Sequence, residues 1–431
     1  MLQRIKNISQ SRLVRNILIV ASGTAGAQAI TIVFAPIITR LYGPEAFGLL
    51  GSFMAILAVL APMAALTYPI AIVLPKSDSD AKGLAKLSML LALFISALTA
   101  VTLFIWGEWT AQKLGIQEIS AYLYLIPVAM LFSAFQQILE HWLIRLKHYG
   151  VTARVAVLQS LLLNSAKAGI GFYHPLAAIL ILLQTISSAL YAAMLYIGAK
   201  KLNPVAPSVK KKVSIKELAY RYRDFAIFRA PEVTINAASQ SLPVLMLAAF
   251  FGPASAGFYT LGRTVMGIPA GLIGKSVGDV FYPRISEAAN NGEKLYPLVS
   301  KSTLLLAAVG FAPFFMVMIF GPWLFSFVFG SEWKIAGEYA QWLAPWLLMA
   351  FLNSPSVKAI PILKAQGFQL YFTCILLAIR ILALSSGYLF FESSLIAIAL
   401  FGLSGFLLNT LLIIITLQKC KKYDQRFSHT K

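Results

Sequence analysis

Long uncharged apolar runs alternate along the whole chain with short breaks rich in basic residues, glycine or proline. A helix needs about 20 mainly apolar residues to cross the hydrocarbon core of a bilayer. Runs of that kind predict twelve spans, near residues 16–39, 46–74, 87–106, 119–139, 155–173, 176–199, 228–251, 254–282, 302–329, 339–360, 368–391 and 393–418. The uncharged stretch from Val233 to Gly262 is cut by "FFGPASAG", where Gly252 and Pro253 supply a turn between two spans.

The distribution of Lys and Arg orients these spans. With both termini in the cytoplasm, cytoplasmic segments collect 29 of the 36 basic residues. The opposite loops hold only Arg40, Lys113 and Lys334, and four cations stay inside spans: Lys167, Arg263, Lys275 and Arg380. A shift by one helix would destroy this positive-inside asymmetry.

Composition agrees. The chain is 431 residues long, 59% apolar and 12% charged, with a mean hydropathy of +0.77. That lies far outside the soluble globular range, so the solvent for its surface is lipid. The net charge of +20 reads as topology plus attraction to anionic membrane lipids, and no nucleic acid is expected. The basic start "MLQRIKNISQSRLVR" lacks the pattern of a cleaved signal peptide. Cys374 and Cys420 form no disulfide framework, and four scattered histidines without an HExxH pattern leave neither a metal site nor a cofactor expected.

The chain also repeats. "LYGPEAFGLL" follows the first span and "FFGPASAGFY" the seventh, and each opens a long span closing at a proline, Pro75 in "IVLPKSDSDA" and Pro283 in "VFYPRISEAA". Gly43 and Gly252 are related by nearly the same offset. A repeat of six helices is even, so both halves run in the same sense. The expected fold is an all-α polytopic membrane protein, with twelve transmembrane helices in two parallel six-helix lobes around a central cavity. Residues 1–199 form the first lobe, 200–224 a cytoplasmic linker, 225–418 the second lobe and 419–431 a cytoplasmic tail. This is a transporter plan.

The stretch "FFGPASAGFYTLGRTVMGIPAGLIGKSVGDVFYPRISE", with "ITRLYGPEAFGLLGSF" and "HWLIRLKHYGVTARVAVLQSLLL" in the first half, resembles the polysaccharide-export branch of the multidrug/oligosaccharidyl-lipid/polysaccharide exporters. The resemblance spans essentially the whole chain. It implies an O-antigen flippase of the bacterial inner membrane that moves undecaprenyl-pyrophosphate-linked oligosaccharide to the periplasmic leaflet. Polysaccharide polymerase machinery is a candidate partner on which the sequence itself is silent.

The eighth span carries the densest chemistry. Gly267, Gly271, Gly274 and Gly278 fall on one helical stripe, a small-xxx-small pattern that lets a neighbouring helix approach, and Pro269 is a candidate hinge. Arg263 lies at one edge of the stripe, and Lys275 and Asp279 lie beyond the other. Arg263 is either a buried or snorkelling cation or a phosphate ligand, for which its planar donor fork is suited. Lys275 and Asp279, spaced i,i+4, are an internal ion pair or else a substrate cation and a coupling carboxylate. Arg380 and Lys167 are internal structural cations or cavity cations. Arg40 reads as an interfacial anchor, Glu140, His141 and Arg145 as an interfacial turn, and Trp323, Trp333, Trp342 and Trp346 as an aromatic belt with sugar stacking as the alternative. Four cations against one acid within the spans favour an anionic substrate, here the lipid pyrophosphate.

Other readings stay open. They are export of another anionic lipid-linked glycan, export of drugs or cations by the same fold, and a membrane saccharide polymerase or ligase. Exporters of cations need intramembrane carboxylates, nearly absent here. The enzyme needs a large outer loop, yet the longest, "GEWTAQKLGIQE", has about a dozen residues and no acid–base arrangement. No catalytic residue is expected.

Overall fold

A computed structural model describes residues 12–113, 116–200, 214–363 and 365–428; the side chains at 12–18, 113, 269–280, 282–283, 290, 366, 370 and 426–428 lie outside that description. Every regular element among the described residues is helical. Contacts divide the chain into two compact units, Met1–Ala249 and Phe250–Lys431.

The first unit contains α1 (Arg12–Leu41), α2 (Pro44–Ala64), the short α3 (Tyr68–Ala71), α4 (Asp78–Lys113), the short α5 (Ser120–Leu123), α6 (Ile126–Arg145), α7 (Tyr149–Gly171) and α8 (Ala177–Lys200). A linker helix α9 (Ile215–Arg221) and a π-turn over Phe225–Arg229 lead into α10 (Ala230–Phe251). The second unit contains α11 (Pro253–Asn290), α12 (Leu295–Phe329), α13 (Lys334–Leu352), the short α14 (Ser354–Ala359), α15 (Gln366–Leu389) and α16 (Ser394–Ser428).

A long helix occupies each of the twelve stretches expected to span. Among the described residues eight helices are long and apolar enough to cross a bilayer, and a ninth if Gln117–Leu123 and Ile126–Arg145 are one span bent by 56°. The helices α7, α11 and α13 fall outside that count, and they carry Asn164 and Lys167, Arg263, and Glu338 and Gln341 respectively. Large apolar side chains such as Phe94, Phe104, Leu304 and Leu382 face outward, as a lipid solvent requires. This is a multi-pass membrane protein.

Two expected spans are broken, each four residues before a proline. The run 46–74 stops being helical after Ala64, and Pro69 would clash with the carbonyl of Ala65 in a continuous helix. The stretch 119–139 bends after Leu123, four residues before Pro127, and its helix then runs on to Arg145. At the first break Leu66 and Thr67 take left-handed φ values of 47° and 54°, costly for a β-branched residue such as threonine.

Side chains hold this break together. The Thr67 hydroxyl donates to the Phe225 carbonyl at 2.9 Å and the Tyr68 hydroxyl to the Ala219 carbonyl at 2.9 Å. Arg145 donates to the carbonyls of Ile72 and Pro75, at 3.2 and 2.6 Å, and pairs with Asp78 at 2.8 Å. Arg145, expected in an interfacial turn, is therefore the last residue of a helix and a clamp on the α3–α4 connection. The linker helix α9 seals the same end: Leu218 is fully buried in a cluster with Tyr68, Ile72, Leu84 and Ile138, and Gly83 leaves it room.

The repeat is visible where its helices start. Pro44 and Pro253 each sit in the first turn after Gly43 and Gly252, and Gly252 has φ +84°, which its lack of a Cβ permits. The helix ends differ, since α2 breaks whereas α11 continues to Asn290.

In the second unit α13 packs against α11, α12 and α16. Its approach to α12 is backbone on backbone: a Cβ on Gly337 would overlap the Gly321 carbonyl and lie 2.6 Å from Pro322 Cα. The Asp424 carboxylate on α16 accepts from the N–H groups of Leu295 and Tyr296 at 2.7 and 2.9 Å, satisfying the N-terminus of α12 with a negative charge. Nearby, the Arg284 hydrogen bond holds the Glu293 carboxyl below its ordinary range.

Replacement of Gly337 by Ala is expected to force α12 and α13 apart and cost roughly 1–3 kcal/mol, read as a lower melting temperature in nanodiscs. Arg145→Lys is expected to fare little better than Arg145→Ala, because an ammonium cannot serve Asp78 and two carbonyls in one fork. Hydrogen exchange at residues 66–78 should rise in both variants; unchanged protection would contradict the clamp.

Candidate functional site

Arg380 on α15 is 7% exposed and lies deep inside the second unit. Its guanidinium carbon sits 5.0 Å from the ring centroid of Trp346 on α13 and 5.5 Å from that of Phe401 on α16. Those two rings meet edge to face at 4.9 Å, and Phe401 meets Tyr259 of α11 edge to face at 6.2 Å. Glycines make this assembly fit. A Cβ on Gly402 would overlap the Trp342 carbonyl, and one on Gly405 would lie 2.5 Å from the Trp346 ring, so α16 can approach α13 only because both residues lack one.

Arg263 follows Tyr259 by one helical turn. Arg263, Arg380 and the Tyr259 hydroxyl are within electrostatic reach of one another. Two cations expected from separate spans thus converge on one buried tyrosine. Arg263 lies roughly 15 Å along α11 from its start and Arg380 roughly 14 Å from the end of α15, so both sit at similar depth from the same side. Among the described residues no carboxylate pairs with Arg380. Among the described residues its Nε and the Trp346 Nε1 are buried without a hydrogen-bond partner, while the Tyr259 hydroxyl lies within reach of Arg263. Below them a polar column continues: Asn353 donates to Asn409 at 3.2 Å, and Asn409 to the Gly405 carbonyl at 2.8 Å.

Lys167 lies elsewhere, in the first unit. Its Nζ donates to Gln184 Oε1 at 3.3 Å, and its carbonyl accepts from the Tyr42 hydroxyl at 3.0 Å. Around it Thr31, Ser160 and Asn164 form a hydroxyl and amide network between α1 and α7. The side chains of Pro269, Gly271, Gly274, Lys275, Gly278 and Asp279 lie outside the described residues, although α11 is continuous through them. At Gly267 a Cβ would meet nothing within 4 Å; the close approach of α11 to α13 occurs at Gly262, 3.3 Å from the Ala336 carbonyl.

The aromatic belt divides. Trp323 and Trp342 are exposed, whereas Trp333 and Trp346 are buried at 1% and 5% exposure, so the latter two are interior residues and not anchors. Glu140 accepts from Gln136 at 3.2 Å, and His141 Nδ1 lies 2.9 Å from the Gln137 carbonyl, both within α6. Arg40 is exposed at the end of α1. No group of three or more metal-ligating side chains occurs among the described residues. Sequence reasoning missed Tyr259, Phe401, Asn353 and Asn409; the two asparagines, polar in apolar helices, were the available signal.

Comparison with known proteins sets this arrangement in context. The chain matches the family model described as "Polysaccharide biosynthesis protein" over residues 37–337. It is 23% identical over 362 residues to the succinoglycan biosynthesis transport protein ExoT of Rhizobium meliloti (strain 1021), covering 80% of this chain and 67% of that one. It is 33% identical to the inner membrane protein YghQ of Escherichia coli (strain K12) over 103 residues, 23% of this chain and 28% of that one. Among solved structures, an inward-facing multidrug resistance MATE family transporter of the MOP superfamily superposes with a TM-score of 0.69 at 13% identity, covering 93% of this chain and 96% of that one. A MOP superfamily transporter from Pyrococcus furiosus gives 0.60 at 13% identity, with 96% of each chain covered. An all-helical membrane chain with this fold, matched by the family model over most of its length, belongs to the polysaccharide biosynthesis protein family.

Proposed function

We propose that the protein moves a saccharide linked to undecaprenyl pyrophosphate, of the O-antigen repeat-unit kind, from the cytoplasmic to the periplasmic leaflet without chemical change to it. The observation that carries this reading is that Arg380 and Tyr259 lie against the same Phe401 ring, with Arg263 one helical turn from Tyr259, a cationic interior suited to a lipid-borne anion. The family and the relative named for succinoglycan transport support a saccharide cargo. The fold alone leaves the sign of the cargo open: the Pyrococcus furiosus transporter is described by a binding pocket of reversed polarity. Here the residues favour an anion. A cation exporter would need acids where this chain places guanidinium groups.

In this reading twelve spans form two six-helix lobes, 1–199 and 225–418, with both termini, the 200–224 linker and the 419–431 tail in the cytoplasm. The site is exposed alternately to the two faces while the prenyl tail stays in lipid. Lys275 adds a cation on the path and Asp279 a coupling carboxylate; Lys167 acts from the first unit. The glycines from Gly267 to Gly278, with Pro269, let α11 bend and slide. Anionic lipids hold the basic cytoplasmic face, and the polymerase machinery takes the product.

Depletion in the host, with a glycan label confined to the periplasm, tests the reading. Lipid-linked oligosaccharide should accumulate hidden from the label. Arg263→Ala and Arg380→Ala should each cut labelled glycan roughly tenfold or more, the loss of one charge-assisted hydrogen bond. Lys167→Ala should cut it less, because its nitrogen already has Gln184 as partner. Accumulated material that is fully labelled would sink the proposal and favour a polymerase or ligase.

A further inference from the structure

A cavity of about 370 Å3 opens where the π-turn meets α10, lined by Asp224, Phe225, Phe228, Arg229 and Glu232. Contacts distant in sequence fix its inner wall. The Phe225 carbonyl accepts from the Thr67 hydroxyl at 2.9 Å, and Phe225 packs on the Leu218 core. Phe228 is instead 68% exposed, and Tyr220 and Ile227 are exposed with it. These large apolar side chains stand at the end of the span Phe225–Phe251. Aromatic and amphipathic segments at that level meet lipid headgroups. The cavity therefore opens among headgroups, in the proposed orientation those of the cytoplasmic leaflet.

Its charge is unlike that of the segment around it. Residues 200–229 are strongly basic, but the neighbouring arginines are engaged elsewhere. Arg221 pairs with Glu217 at 2.7 Å and reaches Asp80 at 3.7 Å, and Arg223 lies over the Tyr220 ring at 4.4 Å. Within the cavity two carboxylates accompany one guanidinium, and Arg229 pairs with Glu232 one turn on. Among the described residues no cation pairs with Asp224. An exposed ion pair alone stabilises little, and it needs no apolar walls. The three groups do match a headgroup that carries both signs. Phosphate oxygens accept from a guanidinium fork, and a primary ammonium has three N–H groups to donate to carboxylates. A trimethylated ammonium has none. A glycerol headgroup brings only the negative charge of its phosphate, which the two carboxylates oppose.

We infer that the cavity between the π-turn and α10 is a phospholipid site selective for a headgroup combining phosphate with a primary ammonium. Asp224 and Glu232 take the ammonium, Arg229 takes the phosphate, and Phe225 and Phe228 wall the site. The inference is independent of what the protein carries. It sets this cavity apart from the surrounding basic surface, which attracts anionic lipid by charge alone. A lipid seated there braces the π-turn, a helix form frequent at functional positions, which the Thr67 contact already holds.

The test is native mass spectrometry of the full chain released from nanodiscs with equal parts of phosphatidylethanolamine, phosphatidylcholine and phosphatidylglycerol. One phosphatidylethanolamine should be retained roughly threefold or more above either other lipid. Asp224→Asn with Glu232→Gln removes both negative charges and leaves Arg229, so the order should reverse toward phosphatidylglycerol. Lys216→Gln, on the linker helix outside the cavity, should leave the order unchanged. A second readout follows the π-turn itself. Hydrogen exchange at residues 225–232 should slow when phosphatidylethanolamine replaces phosphatidylcholine in the discs, in the wild type and not in the double variant. If the double variant fails to elute as a single species, Asp224→Asn decides, since it leaves the Arg229–Glu232 pair in place; it should lose the preference. Equal retention of the three lipids by the wild type would overturn the inference. So would a wild-type preference for phosphatidylglycerol, which would reduce the site to general attraction of anionic lipid. Phosphatidylethanolamine held by the variants at the wild-type level would overturn it as well. The labelling experiment that tests the carrier is untouched by any of these results.

Discussion

Inside hydrocarbon a backbone N–H or C=O has no water to bond, and leaving one unpaired costs several kcal/mol. The architecture follows from that constraint. Helices satisfy their own backbone, so long helices dominate, and every departure from them needs a named partner. Where α2 stops, Tyr68, Thr67 and Arg145 serve the exposed carbonyls of the linker helix, the π-turn and the α3–α4 connection. Where α12 begins, Asp424 serves its first amides. The backbone is repaired at these sites by side chains distant in sequence.

In the second unit, packing and charge are set by different residues. Close packing of α13 and α16 depends on Gly402 and Gly405, positions concerned with helix approach and not with charge. The sign of the interior depends on a few side chains, Arg380 and Arg263 chief among them. Neither side chain takes part in the backbone contacts that hold α13 and α16 together.

The twelve helical stretches, their basic connections and the paired Gly-Pro starts were all legible in the sequence, because apolar length and turn residues are local signals. The breaks at 65–67 and 124–125 were not. Pro69 and Pro127 mark them, yet Pro36, Pro62, Pro243, Pro313, Pro322 and Pro345 sit inside helices. At the first break local amides take up the carbonyls of Met63 and Ala65, and contacts from Arg145 and the linker segment hold the turn that follows. Arg263 and Arg380 could be named as unusual, but their meeting required knowing which faces of α11 and α15 turn inward. Trp346 was misread for the same reason, since an interfacial and an interior tryptophan look alike in a string of letters.

The linker helix has a consequence for how the chain matures. Leu218 fills a core whose other members include Tyr68, Ile72 and Leu84, which precede it by more than half of the first unit. On a ribosome, six helices would be inserted well before that plug emerges, with the end of α2 open until the chain reaches the π-turn. The first unit is thus completed by a segment that emerges only after its first six long helices have been made.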